Sequence, residues 1–430
     1  MEQPRKISFY TLGCRLNQAE TAALQNRFSE AGYEIVDFRE PADVVVINTC
    51  TVTENGDNDT RRLVQRIHRA QARARIALIG CQSQMQGEAL CRLPGVSWVA
   101  GNAVKMELPE IIRRHSEGPP LLIAPPPGRG RFTMPAPAID RSHTRANLKI
   151  QDGCDFFCSF CEIPYARGRS RSREFDDLMG EARQLIAAGH REIVLTGVNI
   201  GTWSGEGRQL ADLLGALTGL AGLERLRISS IEMTTVPEEI FQLMQSTSLC
   251  RFLHIPVQSG SDPILKAMHR RHSAAQFAEL IRRAAAEVPE ICLGTDILTG
   301  FPGETEALFA ETCDLLEALP LAYFHVFSYS ERSHARSRLL PGKVSEEVKA
   351  ERSARLRRLS LEKRHAWFRR FLGTHQLVLF EEEKKGVWSG VTDTFIRVRV
   401  RSAGNLHNQL RPVRLEKIEE LSVFGTLITA

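Results

Sequence analysis

The chain has 430 residues, 43% of them hydrophobic and 25% charged, with ten cysteines and a formal net charge of +5. That length allows two to four globular domains, and no apolar run is long enough to span a membrane. Met1-Glu2-Gln3-Pro4-Arg5-Lys6 leads into no signal-type apolar segment, so a cytoplasmic protein with no membrane partner is expected, its cysteines reduced or metal-bound; the mild positive charge permits a nucleic-acid partner without requiring one.

Residues 1–120 alternate strand and helix patterns. Strands are expected at 7–12, 43–48, 76–80 and 97–99, with helices at 20–31 and 60–73. The run Asp43-Val44-Val45-Val46-Ile47-Asn48 is apolar and β-branched, as in a parallel strand buried on both faces. An open, mostly parallel α/β sheet follows. Cys14, Cys50 and Cys81 each stand just past the carboxyl end of an expected strand. In such a sheet those ends share the edge where ligands bind, so cysteines about thirty residues apart can meet. Two readings stand at this point: a second metal cluster with an open position, or small residues at strand–loop junctions. Cys91 follows a helical pattern and reads as packing.

Pro119-Pro120, Pro125, Pro126, Pro127, Pro135 and Pro137 mark residues 121–139 as a linker, followed by the basic Arg141, His143 and Arg145. From 140 to 372, strands at 148–151, 192–196, 225–229, 252–255, 291–298 and 323–327 alternate with helices. Six such units make a partial (β/α)6 TIM-like barrel whose working face is the carboxyl ends of its strands. The loop after its first strand reads Cys154-Asp155-Phe156-Phe157-Cys158-Ser159-Phe160-Cys161, the spacing C-x3-C-x2-C. Three thiolates this close suit an iron–sulfur cluster or zinc. A closed zinc site needs a fourth ligand, and neither His nor Cys follows soon after; a cluster on three thiolates leaves one iron open. Other strand ends carry polar or small residues: Gly197 and Asn199, Ser230 and Glu232, Gln258, and the run from Asp296 to Thr305. Arg167, Arg169, Arg171 and Arg173 alternate with Ser and Gly as phosphate contacts would, or as a loop paired to acidic neighbours. Cys250, Cys292 and Cys313 lie in strand or helix patterns and read as packing.

A long basic helix is expected at 346–371, with Leu356, Leu359, Trp367 and Phe371 facing inward. Short strands at 376–380, 387–391, 395–400, 413–416 and 427–429 then make a small all-β barrel over 373–430. Phe395, Arg397 and Arg399 alternate along one of them, as a nucleic-acid surface or as ordinary barrel positions.

The cysteine loop, with an aromatic before its last Cys, resembles the radical S-adenosylmethionine (SAM) superfamily. Thr11-Leu12-Gly13-Cys14-Arg15-Leu16-Asn17-Gln18-Ala19-Glu20-Thr21, Asn48-Thr49-Cys50-Thr51-Val52-Thr53 and Gly80-Cys81 resemble the first domain of the methylthiotransferases, and the small barrel resembles their RNA-binding TRAM domain. The resemblance implies two 4Fe-4S clusters, one on Cys154, Cys158 and Cys161 and an auxiliary one on Cys14, Cys50 and Cys81. It implies SAM beside Phe160, Gly197, Asn199, Ser230, Glu232 and Gln258. It further implies tRNA, through its anticodon loop, as partner and a low-potential electron donor such as flavodoxin or ferredoxin. Leu12-Gly13-Cys14-Arg15-Leu16-Asn17 and Glu20-Thr21 look most like the branch acting on threonylcarbamoyladenosine at tRNA position 37. The isopentenyladenosine branch, or a single-cluster radical enzyme with another substrate, is the alternative. Against the family pattern, Ser328-Tyr329-Ser330-Glu331-Arg332-Ser333-His334-Ala335 lacks a small Gly-Thr pair, and His272 replaces an expected aromatic.

Overall fold

The computed structural model describes residues 5–51, 54–140 and 143–428. Residues 1–4, Val52, Thr53, Arg141 and position 429 of the strand expected at 427–429 lie outside the described residues. The chain opens with six parallel strands: β1 (Lys6–Thr11), β2 (Glu34–Ile35), β3 (Val44–Thr49), β4 (Arg75–Gly80), β5 (Val96–Ala100) and β6 (Leu121–Ile123). Their order is β2-β1-β3-β4-β5-β6. Helices α1 (Arg15–Glu30), α2 (Glu54–Ala70) and α3 (Cys81–Cys91) link them. The apolar run of β3 divides by period two: Val44 and Val46 pack with Leu24 and Phe28 of α1, while Val45 and Ile47 pack with Leu63, Val64 and Ile67 of α2.

Two expectations need correction here. Residues 121–123 were assigned to the linker, yet they form the edge strand β6, pairing Leu121, Leu122 and Ile123 with Trp98, Val99 and Ala100. The prolines flank this strand and do not interrupt it, so its ladder hydrogen bonds survive. Helix α1 begins at Arg15, five residues before the expected start, with Cys14 as its extended N-cap. The chain therefore turns from β1 into α1 at Cys14. Between β1 and β3 the direction of winding reverses, and ligands bind such sheets in the crevice at that reversal.

The central barrel has six parallel strands in two groups of three. The first group is Arg145–Lys149, Glu192–Thr196 and Arg225–Ile228; the second is Phe252–His254, Cys292–Thr299 and Tyr323–Ser328. A hydrogen bond from Ile231 N–H to His254 O joins the groups. One core fills the space between strands and outer helices, from Leu148 and Leu195 to Ile281 and Phe309. Helix α1 packs on the first barrel strand, where Arg15 and Gln18 meet Asn147.

The helix Glu346–Arg369 lies along the sixth barrel strand and buries Leu356, Trp367 and Phe368. After it, His375–Lys384, Val387–Val391, Arg397–Arg401, Leu410–Glu419 and Ser422–Leu427 close a five-stranded barrel. Its last strand starts at Ser422, ahead of the expected 427, because the turn falls at Glu420, whose φ is +52°. Phe395 stands outside the third strand with φ +62°, so it breaks the expected alternation. Arg225 and Arg227 donate to carbonyls of Leu377, Val391, Thr392 and Asp393, and Arg251 pairs with Asp393, docking the small barrel onto the central one.

Candidate active site

The loop triad follows a turn that only glycine permits. Gly153 has φ +70°, and a Cβ there would sit 2.0 Å from the Arg169 carbonyl oxygen. Ser159 pins the loop, its N–H donating to Met268 O at 3.0 Å and its hydroxyl to Ala267 O at 2.8 Å. Cys154 Sγ accepts from Phe156 N–H at 3.5 Å, and Cys161 N–H donates to Cys158 O at 3.0 Å. Burial pushes the Cys154 thiol up to about 11 and moves Cys161 further in the same direction. Thiols of this kind become ligands by giving up their protons to a metal.

One side chain that sequence reasoning missed stands at this loop. Arg270 donates to Cys158 Sγ at 3.6 Å, to Glu232 Oε1 at 3.0 Å and to Pro256 O at 2.7 Å. It thereby fixes Glu232 beside the cysteines. Its signal lay in the basic segment Met268-His269-Arg270-Arg271-His272, in which His272 stands in place of an expected aromatic. That histidine is buried against Phe277 and held down to about 4 by burial and by Arg270, so it is neutral.

The dispersed triad gathers at the carboxyl edge of the first sheet. Cys14 caps α1, Cys81 opens α3, and Cys50 follows β3. A Cβ on Gly13 would lie 2.9 Å from Cys50 Sγ, so that glycine lets the first two cysteines approach. Cys81 Sγ accepts from Asn102 Nδ2 at 3.7 Å, and Cys14 Sγ lies 3.8 Å from Asn17 Oδ1. Burial raises the Cys14 thiol, with Arg167 opposing it.

Behind these cysteines lies a buried charge network. Glu20 meets Arg167 Nη1 at 3.0 Å, Lys149 Nζ at 2.7 Å and Lys105 Nζ at 2.5 Å; Asp152 joins through Lys149 and Arg167. Burial alone would raise the Glu20 carboxyl, but Arg167, Lys105 and Lys149 hold it well below the usual carboxylate range. Three buried basic groups face two buried carboxylates, and burial holds Lys105 down to about 8. Cys14 and Cys81 lie within the electrostatic reach of Arg167.

This network also corrects the reading of the Arg167–Arg173 run as phosphate contacts. Arg167 is buried on Glu20, Asp152 and Asn17, and Arg173 on Asp177 and Glu181. Arg171 reaches Asp152 at 3.3 Å; Arg169 alone is largely exposed, pairing with Asp155 at 3.2 Å. Arg332, from the segment lacking the Gly-Thr pair, is likewise buried: it bridges Glu162 beside Cys161 to Thr51, just past β3, and Asp57 of α2.

The remaining expected residues divide. Gly197 is closely packed, a Cβ there lying 2.9 Å from Ile200 and 3.0 Å from Gln151 O. Asn199 is buried; its N–H donates to Gln151 Oε1 at 2.8 Å, its Oδ1 accepts from Thr235, and its Nδ2 has no protein partner. Gln258 has φ +75°, a strained backbone at a strand end. Phe160 packs against Ile264, Met268, Leu298, Phe301 and Tyr329.

A cavity of about 400 Å³ connects the two halves. Cys14 and Arg15 of the first domain line it together with Gly197, Ser229 and Ser230 at barrel strand ends. Alternate residues of the strands point into it: Val194 and Thr196, Phe252 and His254, Tyr323, His325 and Phe327. Asp296 Oδ1 lies 2.9 Å from His254 Nε2 and 3.3 Å from His325 Nδ1. Burial would raise this carboxyl, and the two imidazoles outweigh it and lower it. Phe395 enters the cavity from the small barrel, its ring tilted against Phe252 with centroids 4.6 Å apart. It therefore does not share an outer surface with Arg397 and Arg399.

The residues fit the groups the family implies. Two sets of three thiols lie at the carboxyl ends of two sheets, each with a buried guanidinium nearby, and the orphan Asn199 amide awaits an acceptor. No described helix is long and apolar enough to cross a membrane.

Residues 6–101 match the Uncharacterized protein family UPF0004, and residues 148–316 match the Radical SAM superfamily. The chain is 35% identical over 423 residues to the threonylcarbamoyladenosine tRNA methylthiotransferase of Bacillus subtilis, covering 96% of this chain and 94% of that one. It is 35% identical over 445 residues to the tRNA-2-methylthio-N(6)-dimethylallyladenosine synthase of Cereibacter sphaeroides, covering both in full. In fold it is similar to a radical S-adenosylmethionine methyltransferase from Kitasatospora setae, with a TM-score of 0.54 at 16% identity over 76% of this chain and 75% of that one. The radical SAM match implies a 4Fe-4S cluster and SAM.

Proposed function

This chain belongs to the radical SAM methylthiotransferase family, and from that membership we propose that it adds a methylthio group to carbon 2 of N6-threonylcarbamoyladenosine in tRNA. One observation carries the reading: Cys14 of the dispersed triad lines the same cavity as Gly197 and Ser230 of the radical barrel. A sulfur-bearing site and a SAM site that open on one cavity suit the transfer of a methylthio group to a base placed there.

In this reading Cys154, Cys158 and Cys161 hold one 4Fe-4S cluster and Cys14, Cys50 and Cys81 hold a second. With SAM bound, these groups would supply a sulfur on the dispersed cluster, a methyl donor for it and, after one-electron reduction, a deoxyadenosyl radical strong enough to activate the unreactive adenine carbon 2. The chain's own residues supply position. Arg270 holds Glu232 in place, and that carboxylate would accept from the amino group of SAM. Asn199 Nδ2 would be the donor left for SAM, and Gly197 lines the cavity. Phe252, Phe327 and Phe395 offer apolar surface to a base turned out of the anticodon loop. A low-potential donor such as flavodoxin or ferredoxin delivers the electron.

The dimethylallyl substrate is the second reading, favoured by the full-length similarity to the Cereibacter enzyme and by the aromatic lining. The two separate in one assay. The reconstituted full chain is incubated with SAM, reductant and anticodon stem-loops carrying either modified adenosine, and nucleosides are measured by mass. The expected product is the 2-methylthio derivative of the threonylcarbamoyl substrate. Product from the dimethylallyl stem-loop alone would overturn the proposal.

A further inference from the structure

Arg15 follows Cys14 and lines the central cavity. It makes one long hydrogen bond, Nη1 to Asn147 Oδ1 at 3.4 Å, and among the described residues it meets no carboxylate at ion-pair distance. The acids around it are already engaged. Glu192 is held by Arg227 at 2.6 Å, Glu381 by Arg145 at 2.6 Å, and Asp296 by His254 and His325. Two further guanidinia, those of Arg145 and Arg227, stand close enough to repel Arg15. Arg227 is itself satisfied by Glu192 and by the carbonyls of Thr392 and Asp393. Arg15 is thus a half-buried cation, crowded by like charge, whose free hydrogen-bond donors open on the cavity. Leaving such a group without an anion is costly, and a ligand that brings one is favoured for the same reason.

We infer that Arg15 reads the carboxylate of the substituent on the substrate adenosine, with Ser229 lining the same cavity. This rests on the proposed substrate. A threonylcarbamoyl group ends in an amino-acid carboxylate, which a guanidinium binds in bidentate fashion. A dimethylallyl group is a hydrocarbon and offers Arg15 nothing. Arg15 then accounts for discrimination between the two adenosines, in a cavity whose aromatic lining suits either. A backbone phosphate of the tRNA is the other anion able to meet it.

The test measures binding by the cluster-loaded full chain to three anticodon stem-loops of one sequence. They carry threonylcarbamoyladenosine, its carboxyl methyl ester, or dimethylallyladenosine. The wild type is expected to favour the acid over the ester by about tenfold to a hundredfold, the worth of a charged hydrogen-bond pair. Arg15→Gln is expected to abolish that preference, and Arg15→Lys to keep part of it. Iron content is measured on each variant, since Arg15 adjoins a proposed ligand, and only chains with wild-type iron enter the comparison; Arg15→Lys serves if Arg15→Gln does not load. If Arg15→Gln weakens acid and ester alike, the anion is a phosphate and the inference is wrong. If Arg15→Gln keeps the acid preference while the wild type methylthiolates the threonylcarbamoyl substrate, the inference fails and the proposed function stands. If the wild type methylthiolates only the dimethylallyl substrate, the proposed function fails and this inference with it.

Discussion

The two cysteine triads are built by different means. Cys154, Cys158 and Cys161 lie in one loop, and their approach follows from local backbone: a left-handed Gly153, a left-handed Phe157 and a loop pinned by Ser159. Cys14, Cys50 and Cys81 come from three strand ends, and their approach follows from strand order, with Gly13 leaving room for Cys50. The loop triad has Arg270 beside one sulfur and is otherwise closed in by packing. The dispersed triad is backed by Glu20, Lys105, Lys149, Asp152 and Arg167, contributed by both domains. A local site survives changes elsewhere, whereas an assembled one depends on the interface that gathers it.

The sharpest break of this contrast is at Glu20. Glu20→Gln leaves Arg167, Lys105 and Lys149 buried together without their central carboxylate. Removing one partner of a buried ion network costs about 3–5 kcal/mol. Denaturant unfolding should show that loss first in the transition that separates the two domains, and the dispersed triad should lose iron ahead of the loop triad. The pH dependence has a definite sign. The folded Glu20 carboxyl is held below its ordinary value, so its contribution is complete above the unfolded carboxyl range and is lost as pH falls toward the folded value. Wild-type stability should therefore fall on acidification more steeply than that of Glu20→Gln; parallel acid profiles would show that the network contributes little.

Arg270→Met acts on the other side of the comparison, with a smaller effect. It removes a positive charge and a hydrogen bond from Cys158 Sγ and frees Glu232. The potential of the loop cluster should move negative, because hydrogen bonds to ligand sulfur and nearby positive charge favour the reduced form. A redox titration followed by electron paramagnetic resonance should show one cluster shifted and the other in place. Equal shifts in both would mean that Arg270 acts through the fold and not through Cys158.

Much of this contrast was legible in the sequence because spacing and strand ends are local signals. The loop triad follows from C-x3-C-x2-C. The dispersed triad follows from three cysteines at strand ends in a parallel sheet. What the sequence did not disclose is pairing across distance. Arg167 lies 147 residues from Glu20, and Arg332 lies 275 from Asp57. An arginine in a Ser/Gly loop reads as a surface contact until its buried acid is known. Phe395 was misread for a related reason: a left-handed backbone at one residue turned it from a strand face into the cavity between barrels. Strand β6 was hidden by the prolines around it.

The smallest expected effect concerns the outer face of the small barrel. Arg397 and Arg401 are exposed on one strand, while Ile396, Val398 and Val400 point inward. If that face touches tRNA phosphates, Arg397→Ala should lower affinity for every stem-loop alike and reduce the slope of log affinity against log salt by about one. An effect confined to one modified adenosine would place Arg397 in base recognition instead.

The central claim is that two clusters are held at two places. Iron and sulfide per chain, after anaerobic reconstitution, test it most directly in the wild type and in a variant with Cys14, Cys50 and Cys81 replaced by Ala. About eight irons falling to about four, with SAM cleavage to deoxyadenosine retained, is the expected result. About four irons in both proteins would contradict it, leaving the dispersed cysteines without a metal and the methylthiotransferase reading without its second site.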